Sequence, residues 1–246
     1  MSYDQFFEKL AGSGLDDGLG FLTIWTLKGK KSHHFARPEF AAGFCDRKRE
    51  ETDLYYGTAL RHKDLGPSRR GGLEDLSALL CLWADLDVHT EGVHGNSALP
   101  PSKDAAAEIV KAMGLAPSIL IDSGNGLQAL WLLSEPWEIH GDAEREKASL
   151  LSKRWEATLQ AEARKLGFVY DPGVCNLDRI LRVPGSLNLK NGQRKPVAVL
   201  EESGASYSPE DLEARSVDPR LVRMAGADPT SFSEKQGQVE AEGQGA

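Results

Sequence analysis

Residues 78–88 read Ala-Leu-Leu-Cys-Leu-Trp-Ala-Asp-Leu-Asp-Val. A short apolar run that turns acidic at its end fits a buried strand whose tip reaches a polar site. Outward from it, Asp104–Met113 repeats apolar residues at helical spacing, and Gly114 is a natural stop. Ser118–Ile121 and Leu127–Leu133 read as strands joined by Asp122-Ser123-Gly124-Asn125-Gly126, a tight-turn composition. Asp142–Leu166 reads as a long helix closed by Gly167, and Lys195–Leu200 as a final strand. The order strand, helix, strand, strand, helix, strand is the split βαβ, ferredoxin-like α+β arrangement, an antiparallel sheet with both helices on one face. In that topology the first strand lies between the third and the fourth. Asp85 and Asp87 are then expected beside Ser123–Gln128, and the segment Asp171–Lys190 arrives at the same end.

Before this core, Leu19–Leu27 and Asp53–Ala59 are rich in aromatic and β-branched residues, as strands are, and Glu39–Arg47 reads as a helix. The expected organisation is an N-terminal α/β module over 1–72, a catalytic core over 73–202, and a short helix (Pro209–Arg215) with a disordered acidic tail over 203–246. The 246 residues are 40% hydrophobic and 27% charged, ordinary for a chain with a real core. A net charge of −8 excludes a wholly basic nucleic-acid coat but says nothing about local charge. The longest apolar runs, such as 130–133, fall far short of the ~20 residues of a membrane span. No basic-then-apolar leader pattern opens the chain, and three scattered cysteines offer neither a disulfide framework nor a CxxC zinc site. A cytoplasmic protein with no membrane partner is the expectation.

The candidate chemistry lies in three clusters. Asp85 and Asp87, two apart on a strand, project to one side and repel unless a cation sits between them. Oxygen-only ligands of this kind favour Mg²⁺ or Mn²⁺ with substrate phosphate completing the shell. Ser123, Gly124 and Asn125 form a small-residue turn whose N–H groups suit an anion, with Gln128 following. Between Cys175 and Lys195, five Lys/Arg face one Asp, a +4 island in an acidic chain. Within it Arg179 and Arg182 share a face if the turn is helical, and Asn188 and Lys190 share one side of an extended segment. That combination suits a triphosphate or a template phosphate. Arg61, Arg69 and Arg70, in a Gly- and Pro-containing loop, are candidates for the template backbone, and a plain exposed basic loop fits them equally. His33 and His34, adjacent on a strand, point to opposite faces and do not chelate jointly without a bulge. A nucleotide-sugar transferase reading of the DxD lacks the repeated βα units that fold needs.

Taken together, Trp83–His89 (WADLDVH), Ser123–Trp131 (SGNGLQALW) and Asp178–Lys190 (DRILRVPGSLNLK) resemble the primase–polymerase domain of phages and plasmids, a branch of the archaeo-eukaryotic primase superfamily. Asp53–Arg61 (DLYYGTALR) and Arg69–Gly72 also match, so the resemblance covers about residues 20–202. It implies a DNA primase and polymerase that performs template-directed nucleotidyl transfer on single-stranded DNA for a phage or mobile element. The implied catalytic metal ligands are Asp85, Asp87 and a third acid after the long helix, Asp171, with Asp178 as competitor; two divalent ions, Mg²⁺ or Mn²⁺, are the implied cofactors. The implied nucleotide contacts for NTP or dNTP are Ser123, Gly124, Asn125, Gln128, Arg182, Asn188 and Lys190. The implied DNA contacts are Arg61, Arg69, Arg70 and Arg179. Where the general pattern has histidine this chain has Gln128, which can donate a hydrogen bond to phosphate but carries no positive charge. More of the neutralisation then falls on Arg182 and Lys190. A non-catalytic member that binds single-stranded DNA or nucleotide is the alternative. No GxxxxGK[ST] motif is present, so unwinding is expected from a replicative helicase, separate or in a further domain.

Overall fold

The structure, a computed structural model, describes residues 1–89 and 98–220. The expected tail beyond Arg220 lies outside the described residues. In chain order the first elements are α1 (Tyr3–Asp16), β1 (Leu22–Thr26), β2 (Lys31–Phe35), α2 (Pro38–Lys48), β3 (Leu54–Gly57) and β4 (Ala59–Arg61). Then come β5 (Leu76–Asp87), α3 (Lys103–Ala112), β6 (Ile119–Asp122), β7 (Gly126–Glu138) and α4 (Asp142–Lys165). The last are β8 (Ile180–Arg182), β9 (Leu187–Asn188), β10 (Lys195–Pro196), β11 (Ala198–Glu202) and α5 (Pro209–Arg215). Helix α1 starts at a reciprocal cap in which the Ser2 hydroxyl accepts from the Gln5 N–H and the Gln5 side chain accepts from the Ser2 N–H.

Two sheets organise these elements. A five-stranded sheet runs β11-β6-β7-β5-β4, and a four-stranded sheet runs β2-β1-β3-β8. Strand β5 is buried at every position from Ala78 to Ala84, so both of its faces are covered. Helix α1 packs against β5 and β7, and so do α3 and α4, which also pack on each other. Trp131 of β7 and Trp155 of α4 meet edge-to-face with centroids 4.9 Å apart, and the Trp131 indole donates to the Leu115 carbonyl at 3.0 Å. Among the described residues no helix is long and apolar enough to cross a membrane.

The α+β class, the antiparallel core and the strand that decides it stand as expected. The placing of the final strand does not: β11 pairs with β6 at the far edge, and β4 occupies the place beside β5. The cause is the path after α4. The chain crosses first into the other sheet, where β8 pairs with β3, and returns through the β9–β10 ladder to the β6 edge. The segment that carries Arg179 and Arg182 is thus held by the N-terminal sheet. The apolar pattern of 53–59 also resolves into two strands, β3 and β4, one in each sheet.

Candidate nucleotide site

The antiparallel register of β5 and β7 sets Asp85 opposite Gln128 and Asp87 opposite Gly126. Asp85 and Gln128 therefore share a face, and the Gln128 amide donates to Asp85 Oδ1 at 3.2 Å. The other carboxylate oxygen, Oδ2, accepts from Arg179 Nη2 at 2.5 Å. Beneath this pair the Asp85 N–H donates to the hydroxyl of Tyr170 at 3.2 Å. Tyr170 is buried, and that burial holds its phenol far above the usual range, so the hydroxyl is neutral. Gln128 is only 3% exposed, and its Oε1 is buried with no hydrogen-bond partner.

A cleft of about 190 Å³ opens over these groups. Its walls carry Asp85, Asp87, Ser123, Asn125 and Gln128 on the core side, and Tyr55, Arg179, Ile180, Arg182, Asn188 and Lys190 on the other. Two acids, three cations and several amide or hydroxyl groups from four distant stretches thus face one space. The arms are tied together: Asn188 Nδ2 donates to the Ser123 carbonyl at 2.8 Å, and its Oδ1 accepts the Lys190 N–H at 3.1 Å. Lys195 Nζ donates to Asn125 Oδ1 at 2.6 Å.

Of the residues expected at such a site, Asp85, Asp87, Ser123, Asn125, Gln128, Arg179, Arg182, Asn188 and Lys190 line the cleft. Arg179, expected on the template, instead neutralises Asp85. Gly124 is off the cleft wall. Its φ of +91° and the approach of Asn188 and Lys195 Cβ atoms, each 3.0 Å from where a Cβ would stand, give it a structural reason. The turn is also a poorer anion cradle than its composition implies. The Ser123 N–H donates to the Gly126 carbonyl at 3.0 Å and the Gly124 N–H to Asp122 Oδ1 at 2.8 Å, so neither is directed at a ligand.

Neither candidate for the third acid lines the cleft. Asp171 follows the buried Tyr170 and is itself half-buried. Asp178 is held by Arg70 at 3.6 Å and by the Asn176 amide at 2.5 Å. Among the described residues no group of three His, Cys, Asp or Glu side chains is assembled for a metal.

Arg61 cannot serve as a phosphate contact, because it is 0% exposed. Its guanidinium donates to the carbonyls of Ala59 at 3.0 Å and Arg70 at 3.2 Å, and burial pushes its pKa down to about 10. It braces the loop that carries Arg69 and Arg70. Arg69 remains exposed and pairs with Asp75 at 3.2 Å, whereas Arg70 is half-buried and pairs with Asp178. His33 stacks on Phe44 with centroids 4.2 Å apart, whereas His34 bonds Thr23 and the Arg69 carbonyl, so they serve separate packing roles.

Three residues with no expected role belong to this site. Tyr55 lines it, with the Arg182 guanidinium 4.8 Å from its ring centroid. Asp53 is ion-paired to Arg182, and Tyr170 pins the Asp85 backbone. An acid directly before the aromatic strand Leu54-Tyr55-Tyr56 was the available signal for the first two.

Two solved structures share this architecture. The AEP domain of the primase–polymerase (PrimPol) of cyanophage S-2L matches with a TM-score of 0.54 at 14% identity, over 88% of this chain and 100% of that one. The primase RepB′ matches with a TM-score of 0.51 at 13% identity, over 91% of this chain and 64% of that one. In sequence, the chain is 29% identical over 147 residues to a replication protein of Clostridium perfringens, which covers 60% of this chain and 32% of the relative. The chain thus spans about a third of that relative's length. No family model matches the sequence. The chain thus shares its fold with these primase and primase–polymerase domains.

Proposed function

We propose that this chain is a template-directed nucleotidyltransferase, a DNA primase and polymerase domain that works on single-stranded DNA in the replication of a phage or other mobile element. The observation that carries the reading is the convergence of Asp85 and Asp87 with Arg179, Arg182 and Lys190 in one cleft. Acids and cations facing a common space suit a ligand that brings both phosphate and a divalent ion.

The donors fit such an ion in a limited sense. Two carboxylates on one strand face suffice for Mg²⁺ or Mn²⁺ when substrate phosphates supply further oxygens, as is usual for Mg²⁺. Asp85 and Asp87 are the residues that would hold it, and Asp171 joins them only if its loop moves to the cleft. When bound, such ions supply Lewis-acid stabilisation of the attacking and leaving oxygens. The chain's own groups do the rest. Arg182 and Lys190 orient the triphosphate, and Ser123, Asn125 and Asn188 border the space it enters. Arg179, paired to Asp85 in this structure, would be placed to turn to phosphate were that carboxylate to hold an ion. The reaction joins a primer 3′-oxygen to the α-phosphorus, breaks the bond from that phosphorus to the α–β bridging oxygen, and releases pyrophosphate and the hydroxyl proton to solvent. Arg69 and Arg70, on the adjoining loop, are the proposed template contacts, and unwinding is assigned to a replicative helicase.

One observation favours a non-catalytic nucleotide- or DNA-binding reading. Both oxygens of Asp85 are engaged within the protein, by Gln128 and Arg179, and among the described residues no third acid joins Asp85 and Asp87 in a metal-binding group. A primer-synthesis assay separates the two readings. With labelled NTPs, dNTPs or mixtures, Mn²⁺ and a single-stranded template, the enzyme reading expects oligonucleotide products. DNA binding with no incorporation under Mg²⁺ or Mn²⁺ would leave the binding module as the answer.

A further inference from the structure

Asp53 is a buried acid that the chemistry above does not use. It stands immediately before β3, in the N-terminal sheet, and is 3% exposed. Its Oδ1 accepts from Arg182 Nη1 and also from the Leu189 N–H, the latter at 3.1 Å. One oxygen thus joins the side chain of one cleft residue to the backbone beside another, Lys190. The same edge of β3 supplies a second restraint, since Tyr55 stands opposite Arg182 in the β3–β8 register and its ring lies against the guanidinium. Arg182 is therefore held by a carboxylate and an aromatic face from one strand while it lines the cleft.

A buried ion pair is a poor way to hold two strands together, because desolvation offsets most of its attraction and an apolar pair serves as well. A fixed orientation of the guanidinium is what the carboxylate adds. An arginine free to rotate loses conformational entropy when it grips phosphate, and one already held in place loses less.

We propose that Asp53 is a positioning residue for nucleotide binding: it fixes the Arg182 guanidinium and the Leu189–Lys190 backbone relative to each other, so that both meet the same triphosphate. This inference rests on the nucleotide reading of the cleft. Asp53 touches no substrate and acts through its two partners. Its removal should therefore weaken ground-state and transition-state binding together, raising KM with little change in kcat.

The test is a two-by-two set of variants, wild type, Asp53→Asn, Arg182→Gln and the double variant, each measured for dNTP Kd, for KM and kcat in primer extension with Mn²⁺, and for thermal midpoint. Asp53→Asn keeps an acceptor for Leu189 but loses the charge that holds Arg182. The expected result is a rise of about tenfold in Kd and KM with kcat within about twofold, and no further rise when the change is made in the Arg182→Gln background. An unchanged KM for Asp53→Asn, or a full additional loss in that background, overturns the proposal. If Asp53→Asn does not fold, the double variant, which strands neither charge, decides: KM equal to that of Arg182→Gln alone supports the proposal and a clear difference overturns it. A wild-type chain that neither binds nor incorporates dNTP overturns the nucleotide reading and this inference with it. A competent wild type with an indifferent Asp53→Asn overturns this inference alone.

Discussion

Replacing Asp85 by Asn is expected to lower nucleotide incorporation about a thousandfold or more, with single-stranded DNA affinity within about threefold of wild type. A thousandfold corresponds to about 4 kcal/mol of lost transition-state stabilisation. The substitution is nearly isosteric, so the fold is not what changes. One amide oxygen can still accept from Gln128 or Arg179, but the charge that faces the cleft is gone. Without it a divalent ion loses half of its protein carboxylates at this strand end. Arg179 is left without its carboxylate although its side chain is only about a quarter exposed, so some loss of stability accompanies the loss of activity, and the thermal midpoint is measured beside it. Asp87→Asn should behave alike. The measurement is primer extension at saturating dNTP and Mn²⁺, alongside DNA binding by fluorescence anisotropy. Retention of more than about a tenth of wild-type incorporation by Asp85→Asn contradicts the assignment of Asp85.

The second large effect is expected at a residue with no side chain. Gly126 faces Asp87 across the β5–β7 ladder, and a Cβ there would stand 2.1 Å from the Leu86 carbonyl oxygen and 3.2 Å from the Asp87 Cα. Both obstacles are backbone, so no rotamer change relieves them, and the strands must separate at the acidic end. Overpacking of this kind costs about 1–3 kcal/mol, and more where backbone must shift. In a chain of this size about 3 kcal/mol lowers the thermal midpoint by roughly 6–12 °C. The loss of function should exceed the loss of stability, since a displacement of ~1 Å at reacting groups can cost about a hundredfold in rate. Gly126→Ala is therefore expected to melt lower and, well below its midpoint, to incorporate nucleotide about a hundredfold more slowly. Gly43→Ala, inside helix α2 with ample space, is the control and should be neutral or slightly stabilising. Wild-type melting and activity for Gly126→Ala contradict the strand register described above.

Much of this arrangement is legible in the sequence because it is local. The apolar run into Asp85 and Asp87, helix α3 with its glycine stop, the turn at 123–125 and the basic stretch at 179–190 each declare themselves within a dozen residues. The non-local features are silent. Nothing in Ala59-Leu60-Arg61 says that this segment, and not the final strand, closes the β5 edge, since either partner satisfies the same backbone donors and acceptors. Arg61 sits in a Gly- and Pro-rich context that reads as exposed, and only the packing of the loop over it makes it a buried brace. Asp53 and Tyr55 gain meaning only once β8 is seen against β3, because their partner Arg182 is more than a hundred residues away. Strand identity is written in side chains, but partner choice among strands is decided by the path between them.

In the proposed mechanism Asp85 and Asp87 hold a divalent ion together with the triphosphate that Arg182 and Lys190 orient. A crystal structure with Mn²⁺ and a non-hydrolysable dNTP, with the metal located by its anomalous signal, decides whether they do. The predicted result is a Mn²⁺ peak on the Asp85 and Asp87 carboxylates, triphosphate density against Arg182 and Lys190, and Arg179 released from Asp85. Such a map also shows whether Asp171 or Asp178 closes on the ion. Phosphate density remote from both acids and from Arg182, with Arg179 still bound to Asp85, contradicts the account.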